Sequence, residues 1–275
     1  MWVCTSKALE ESGLAKRVVI INDFQAIGYA LPVALRLDLA TPFLTPPTPA
    51  PRLPLTCLGP GTGLGACGVV RGSDGASLSI CSESGMVEFA ARSERELRLK
   101  QHVAKELEAE ERASGPHVTV EDIVSGTGLP RIFRFVKQEQ EEKSGGEEGG
   151  GEEKDGGGGL IGGAEVSRLA EEGDAVALEA LSLFASVLTH ELRRQALAFL
   201  AYGGAVIAGG LIVHAPVRKA VREAIEKEFV SGDPVMGSIL AKMPVYALKT
   251  GDVGLLGARV KALQTLGRNV EEEIH

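Results

Sequence analysis

Apolar positions along the chain fall into short runs and longer helical stripes. Residues 18–21 (Val-Val-Ile-Ile) form a continuous β-branched run that stops at Asn22-Asp23. Such a run predicts a strand buried on both faces, as in a parallel sheet. Residues 55–58 and 66–71 read as two further strands around the turn "GPGTGLG", residues 203–212 as a buried strand between glycine pairs, and residues 245–248 as another. Helical spacing predicts helices over residues 6–14, 93–112, 120–125, 131–138, 175–200, 216–229 and 254–266. The longest carries Leu178, Leu181, Leu183, Phe184, Val187, Leu188 and Leu192 at helical intervals. Strands alternating with helices imply an α/β architecture with a largely parallel core.

Two segments break the pattern. Residues 40–55 are proline-rich and read as an extended surface connection, because proline donates no ladder hydrogen bond. Residues 138–163 are Gly/Glu low complexity with too little apolar area to offset ordering entropy, and are expected to be disordered.

Composition changes this picture little. The 275 residues are 44% apolar, enough for one large domain or two modest ones, and no apolar run of membrane-helix length is evident. The N-terminus lacks a basic segment leading into an apolar one, so no secretory signal is read and a cytoplasmic location is expected. The net charge of −8 is concentrated: eight acidic residues and two lysines between residues 139 and 155 give −6 and leave −2 for the rest. With no basic stripe, no nucleic-acid partner is expected. Cys4, Cys57, Cys67 and Cys81 lack metal-ligand spacing and read as reduced thiols.

Several polar groups are candidates for chemistry. Asn22-Asp23 follows a strand at the end where ligands collect in open α/β sheets. A helix cap accounts for one of the two residues, not both. The turn holding Gly61, Thr62 and Gly63 can converge backbone N–H groups on an anion, or simply be a tight hairpin. Gly209 and Gly210 end a strand where a flat base could lie, or where two backbones merely approach. Glu83 sits in a small-residue turn. Glu121 sits near an expected helix start, which Thr119 could cap and where its charge favours the positive end.

The order of these blocks is more specific than any one. "IINDFQAIGYALP", "GPGTGLG", "SESGMVEFA", "VEDIVSGTGL", "GGAVIAGGLI" and "TGDVGLLGA" form a collinear series that resembles the bacterial-type glucokinases of the sugar kinase/actin-like ATPase superfamily. The resemblance runs from about residue 2 to residue 266. It implies a two-domain actin-like (ribonuclease H-like) α/β fold, glucose and ATP with Mg²⁺ as ligands, and no protein-held metal site. It also implies roles: Asp23 as the base that deprotonates the sugar 6-hydroxyl, and Asn22, Glu83 and Glu121 as sugar contacts. Gly61, Thr62 and Gly63 would hold phosphate, and Gly209 and Gly210 adenosine.

The sequence departs from the family pattern in three places. The family's "D-x-G-G-T-N" segment is not found, so the small N-terminal domain is expected to be mostly missing. Residues 1–34 then form its remnant, residues 35–252 the large domain, and residues 253–275 a helix returning to the small domain. Met86 stands where the family "GEGGH" block has histidine, and "LRRQ" (residues 192–195) replaces Gly-Gly-Asn. A sugar-binding relative without catalysis, and a kinase for another hexose or an acylamino sugar, remain alternatives. A homodimer and a monomer both stay open.

Overall fold

A six-stranded mixed sheet separates two helical layers, and each layer follows from which side of the strands carries apolar residues. The computed structural model describes residues 5–13, 15–46, 52–111, 117–143 and 161–274. In chain order the helices are α1 (Ser6–Glu11), α2 (Asp23–Arg36), α3 (Glu94–Ala109), α4 (Gly128–Lys143), α5 (Gly163–Glu171), α6 (Ala175–Phe199), α7 (Ala215–Glu228), α8 (Pro234–Leu240), α9 (Val253–Thr265) and α10 (Val270–Glu273). The strands are β1 (Ala40–Leu44), β2 (Leu55–Pro60), β3 (Leu64–Arg71), β4 (Ser77–Ser82), β5 (Gly204–Ile207) and β6 (Val245–Leu248), in sheet order β1-β6-β5-β2-β3-β4.

Strand β2 is buried along its whole length because both faces are covered. Leu58 points into the larger core with α4, α6 and α7, while Leu55 and Cys57 pack under α2 and α9. Its partners alternate in the same way: Ala205 and Ile207 go one way, Val206 and Ala208 the other. The strand expected over residues 55–58 is therefore present and central to the sheet.

Helices α2 and α9 cross where Gly257 faces Ala26. A Cβ on Gly257 would fall 1.6 Å from the Ala26 carbonyl oxygen, so only glycine permits this approach. Helix α6 begins on an Asp174 side chain that accepts from Ala177 N at 2.7 Å and ends with Leu200 in the left-handed region. Contrary to the sequence reading, α6 is long and apolar enough to cross a membrane. However, 61% of its apolar window is buried inside the protein, which makes it the core helix. Leu178 is the one member of its apolar series that stays exposed.

The sheet corrects several expectations. Only the β2–β5 and β5–β6 pairs are parallel, and β1–β6, β2–β3 and β3–β4 are antiparallel. Residues 18–21 are not a buried strand: Val19 and Ile20 are 47% and 52% exposed. The segment has no partner strand among the described residues and is tied instead by Val18 N donating to Glu10 and by Arg17 donating to the Thr265 carbonyl. Within the proline-rich stretch, residues 40–44 form edge strand β1, where Pro42 is tolerated beside an irregularity in the register. Strand β4, also unforeseen, has a half-polar pattern that suits the other edge. Helix α4 continues through residues 138–143, beyond the expected start of disorder, and residues 144–160 lie outside the described residues.

Replacing Gly257 with Ala forces α2 and α9 apart. The variant is expected to lose about 1–3 kcal/mol of unfolding free energy in urea titrations, despite the helix propensity it gains.

Candidate active site

The candidate residues gather at one end of the sheet, beyond the carboxyl ends of β2 and β5. Between β2 and β3 the turn is closed by Gly61 N donating to the Gly63 carbonyl at 2.8 Å. The following amide, Leu64 N, is capped by the Glu121 carboxylate at 2.8 Å. Gly63 makes this possible, since a Cβ there would lie 2.5 Å from a Glu121 oxygen. Thr62 at the tip is exposed.

Glu121 lies in a loop, not in the expected helix. Residues 120–125 form turns, and α4 starts only at Gly128. The Asp122 carboxylate accepts from Thr119 N at 2.9 Å and Thr119 Oγ1 at 2.6 Å, but the turn goes no further: Ile123 N and Val124 N both return to the Val120 carbonyl, and Gly126 N leaves for the Gly61 carbonyl. Thr119 does cap, through Asp122 N, but caps a single turn. Backbone bonds stitch this loop to its neighbours. Glu121 N donates to the Gly85 carbonyl, Val120 N to Val87, and Gly126 N to Gly61. Glu83 begins the short turn that includes Gly85, and its side chain is exposed.

Buried Arg131 supports the loop from behind. It donates to the Asp122 carbonyl at 3.3 Å and to both Glu110 carboxylate oxygens. Beside it Arg134 grips Glu106 with two 2.7 Å bonds, and His102 stands 3.1 Å from the same carboxylate. Burial pushes the Glu106 carboxyl up. The hydrogen bonds and charges of Arg134 and His102 outweigh that and bring it down to about 2.

Asn22-Asp23 reaches this end through Phe24. The Phe24 ring fills the space where Gly59 and Gly65 lack side chains, at 2.3 and 2.0 Å from their absent Cβ positions. Asn22 is the helix cap, with Oδ1 accepting from Phe24 N and Gln25 N at 2.9 and 3.2 Å. Asp23 is the first helical residue and is exposed, with Oδ1 2.8 Å from Phe24 N. Gly209, with φ +95°, packs on the Pro60 carbonyl, and Gly210 after it is exposed.

The structure thus brings all nine residues marked in the sequence to one end of the sheet. Three supporting groups escaped the sequence reading: the Phe24 ring, the Leu64 amide and buried Arg131. Only Phe24 left a trace, as an aromatic beside two polar residues. A cavity of about 760 Å³, lined in part by Tyr29, Arg36, Tyr246 and Arg268, lies at the opposite end of the sheet and includes none of the nine.

The mixed sheet flanked by helices is that of the sugar kinases in the actin-like ATPase class. The chain superposes on a glucokinase from an Antarctic psychrotroph with a TM-score of 0.73 at 24% identity, covering 93% of this chain and 71% of that one. A Balamuthia mandrillaris glucokinase determined in complex with glucose gives 0.70 at 19% identity, covering 90% and 66%. A ROK family glucokinase from Streptomyces griseus, in complex with glucose and AMPPNP, gives 0.55 at 20%, covering 92% and 70%. In sequence, the chain is 31% identical to a Synechocystis glucokinase over 96% of its own length and 74% of the relative's. It is 29% identical to one from Yersinia enterocolitica over 97% and 74%. The family model for glucokinase matches residues 1–265. The chain belongs to the glucokinase family, a family of sugar kinases.

The depressed Glu106 carboxyl sets an acid limit on the packing behind the Glu121 loop. A folded value near 2 against an ordinary 4.5 means its contribution is complete above pH 4.5 and is lost as pH falls towards 2. Urea midpoints measured across that window should fall for the unaltered protein and fall less steeply for Glu106→Gln.

Proposed function

We propose that this protein transfers the γ-phosphoryl group of ATP to the 6-hydroxyl of glucose, the step by which glucose enters glycolysis. The observation that carries the reading is the convergence of Asn22-Asp23, the Gly61–Gly63 turn, Glu83, Glu121 and Gly209-Gly210 at one end of the sheet. Membership of the glucokinase family supports it, as do relatives that were determined with glucose and with an ATP analogue.

In this reading Asp23 accepts the proton of the sugar 6-hydroxyl while that oxygen attacks the γ-phosphorus and ADP leaves. Phosphoryl transfer asks chiefly for positioning and charge stabilisation, so one well-placed carboxylate suffices as base. Asn22, Glu83 and Glu121 hold the sugar hydroxyls, for which short polar groups in fixed geometry are suited. The turn of Gly61, Thr62 and Gly63 faces the transferring phosphates, with Gly61 N and Leu64 N already tied within the fold, and Gly209 and Gly210 offer a bare surface to adenosine. Mg²⁺ would arrive with ATP as part of the substrate and would offset the phosphate charge during transfer. The described residues include no group of three or more His, Cys, Asp or Glu side chains suited to hold a metal by themselves.

Met86 occupies the position of the family histidine and is 57% exposed. It gives the sugar no hydrogen-bond donor, so hexose choice rests on Asn22, Glu83 and Glu121.

Asp23→Asn should lower kcat by about 10²–10⁴-fold in a coupled ADP-release assay, with glucose affinity by calorimetry little changed. Turnover that survives the substitution removes Asp23 from the role of base. Glucose binding by the unaltered protein without any turnover favours a sugar-binding relative, and faster turnover of mannose or N-acetylglucosamine reassigns the substrate.

A further inference from the structure

Three thiols stand side by side across the sheet, and the proposed phosphoryl transfer uses none of them. Cys57 on β2 is directly opposite Cys67 on β3, and Cys67 is directly opposite Cys81 on β4. Directly opposed residues on neighbouring strands share a face. This row lies on the face covered by α2, where Cys67 Sγ is 3.1 Å from the position a Cβ on Gly28 would take. Cys57 and Cys67 are fully buried, whereas Cys81 on the edge strand is exposed.

The two pairs differ in kind. Opposed residues in an antiparallel ladder alternate between hydrogen-bonded pairs and non-hydrogen-bonded pairs, whose side chains stand closer. At the β2–β3 turn, Gly61 N bonds the Gly63 carbonyl. Counting back by twos makes Cys57/Cys67 a hydrogen-bonded pair. At the β3–β4 turn, Gly72 N bonds the Ala76 carbonyl, and the same count leaves Cys67/Cys81 non-hydrogen-bonded. The Cys67 carbonyl accepts from Thr56 Oγ1 at 3.2 Å, which places it on the β2 side as this alternation requires. Non-hydrogen-bonded pairs have Cα atoms about 4.5 Å apart and hydrogen-bonded pairs about 5.5 Å, both inside the disulfide range of about 4.4–6.8 Å, so access separates the two pairs: only Cys67/Cys81 includes an exposed thiol. Its hydrogen bond with Cys67, then burial, pushes the Cys57 thiol well up, which keeps it unreactive.

We propose that Cys81 and Cys67 form a reversible oxidation site for peroxides. The Cys81 thiolate attacks the peroxide O–O bond, becomes a sulfenic acid, and releases water or an alcohol after proton uptake. The Cys67 sulfur then attacks the sulfenic sulfur, and hydroxide leaves to take up the Cys67 proton as water. Two thiols are oxidised to one disulfide and the peroxide is reduced. The disulfide clamps β3 to edge strand β4 two residues from Gly65, which seats Phe24 beside Asp23.

The test treats the full chain, in a Cys4→Ser background that leaves only the row, with hydrogen peroxide. Remaining thiols are then alkylated under denaturing conditions and the peptides mapped without reduction. The expected result is a dithiothreitol-reversible link between the Cys67 and Cys81 peptides. It should survive Cys57→Ser and be lost in Cys81→Ser, an exposed change that leaves the core intact. Any of four results overturns the proposal: Cys81 ending as sulfinic or sulfonic acid with Cys67 still alkylated, a Cys81–Cys81 link between chains, a link that persists without Cys81, or no loss of free thiols. None of these readouts depends on sugar phosphorylation.

Discussion

The seating of Phe24 between Gly59 and Gly65 is the constraint on which the candidate site depends. The ring lies where the side chains of those two residues would be, so the hairpin must be bare there and the ring must be present. Burying an aromatic ring contributes about 1.5–3 kcal/mol when complete, against about 0.5–1.5 kcal/mol net for a hydrogen bond. Phe24 is only partly buried, so its packing is of the same order as the two bonds of the Asn22 cap, and the two together fix where α2 begins. Asp23 takes its position from a helix start that the β2–β3 hairpin dictates.

From that hairpin the rest of the site is built by backbone hydrogen bonds more than by side-chain packing. The loops around residues 61–64, 83–87 and 119–126 exchange amides and carbonyls with one another. The Glu121 carboxylate adds a side-chain tie, to Leu64 N. Such a lattice leaves the polar side chains of Thr62 and Glu83 exposed at its outer surface. Loops held by a rigid sheet are where binding residues are expected. The charges of Arg131, Arg134, Glu106 and Glu110 sit behind this lattice, where they brace it without facing solvent at its front.

Elements with two covered faces were legible in the sequence, because a continuous apolar run is at home chiefly where both sides are shielded from water. This holds for β2, β5 and β6, and for α6 with its apolar stripe. Residues 18–21 carry the same signal, but composition says nothing about whether a neighbouring strand is at hand to use it. Edge strands β1 and β4 were missed for the complementary reason. One keeps a proline and the other a half-polar pattern, and both are tolerated only at an edge. At residues 120–125 the acidic start that looked like helix electrostatics caps a single turn, after which Gly126 N turns away to the Gly61 carbonyl. The site residues themselves were legible only as an ordered series, since a cap, a tight turn or solvent exposure accounted for each one alone.

Glu121 shows why the single-residue reading and the collinear one need not conflict. A carboxylate carries two oxygens with about four acceptor positions between them. Oε2 is committed to Leu64 N, which fixes the carboxyl plane over Gly63. That bond is structural, and it also removes the rotamer freedom that a sugar-binding glutamate would otherwise lose on binding. In the proposed role, a side chain already ordered by the fold would lose less entropy when a hydroxyl docks against its second oxygen, so the tie that shapes the hairpin would also prepare the contact. Gly63 is held to glycine by the same tie, because a Cβ there would meet the Glu121 carboxylate that caps Leu64 N.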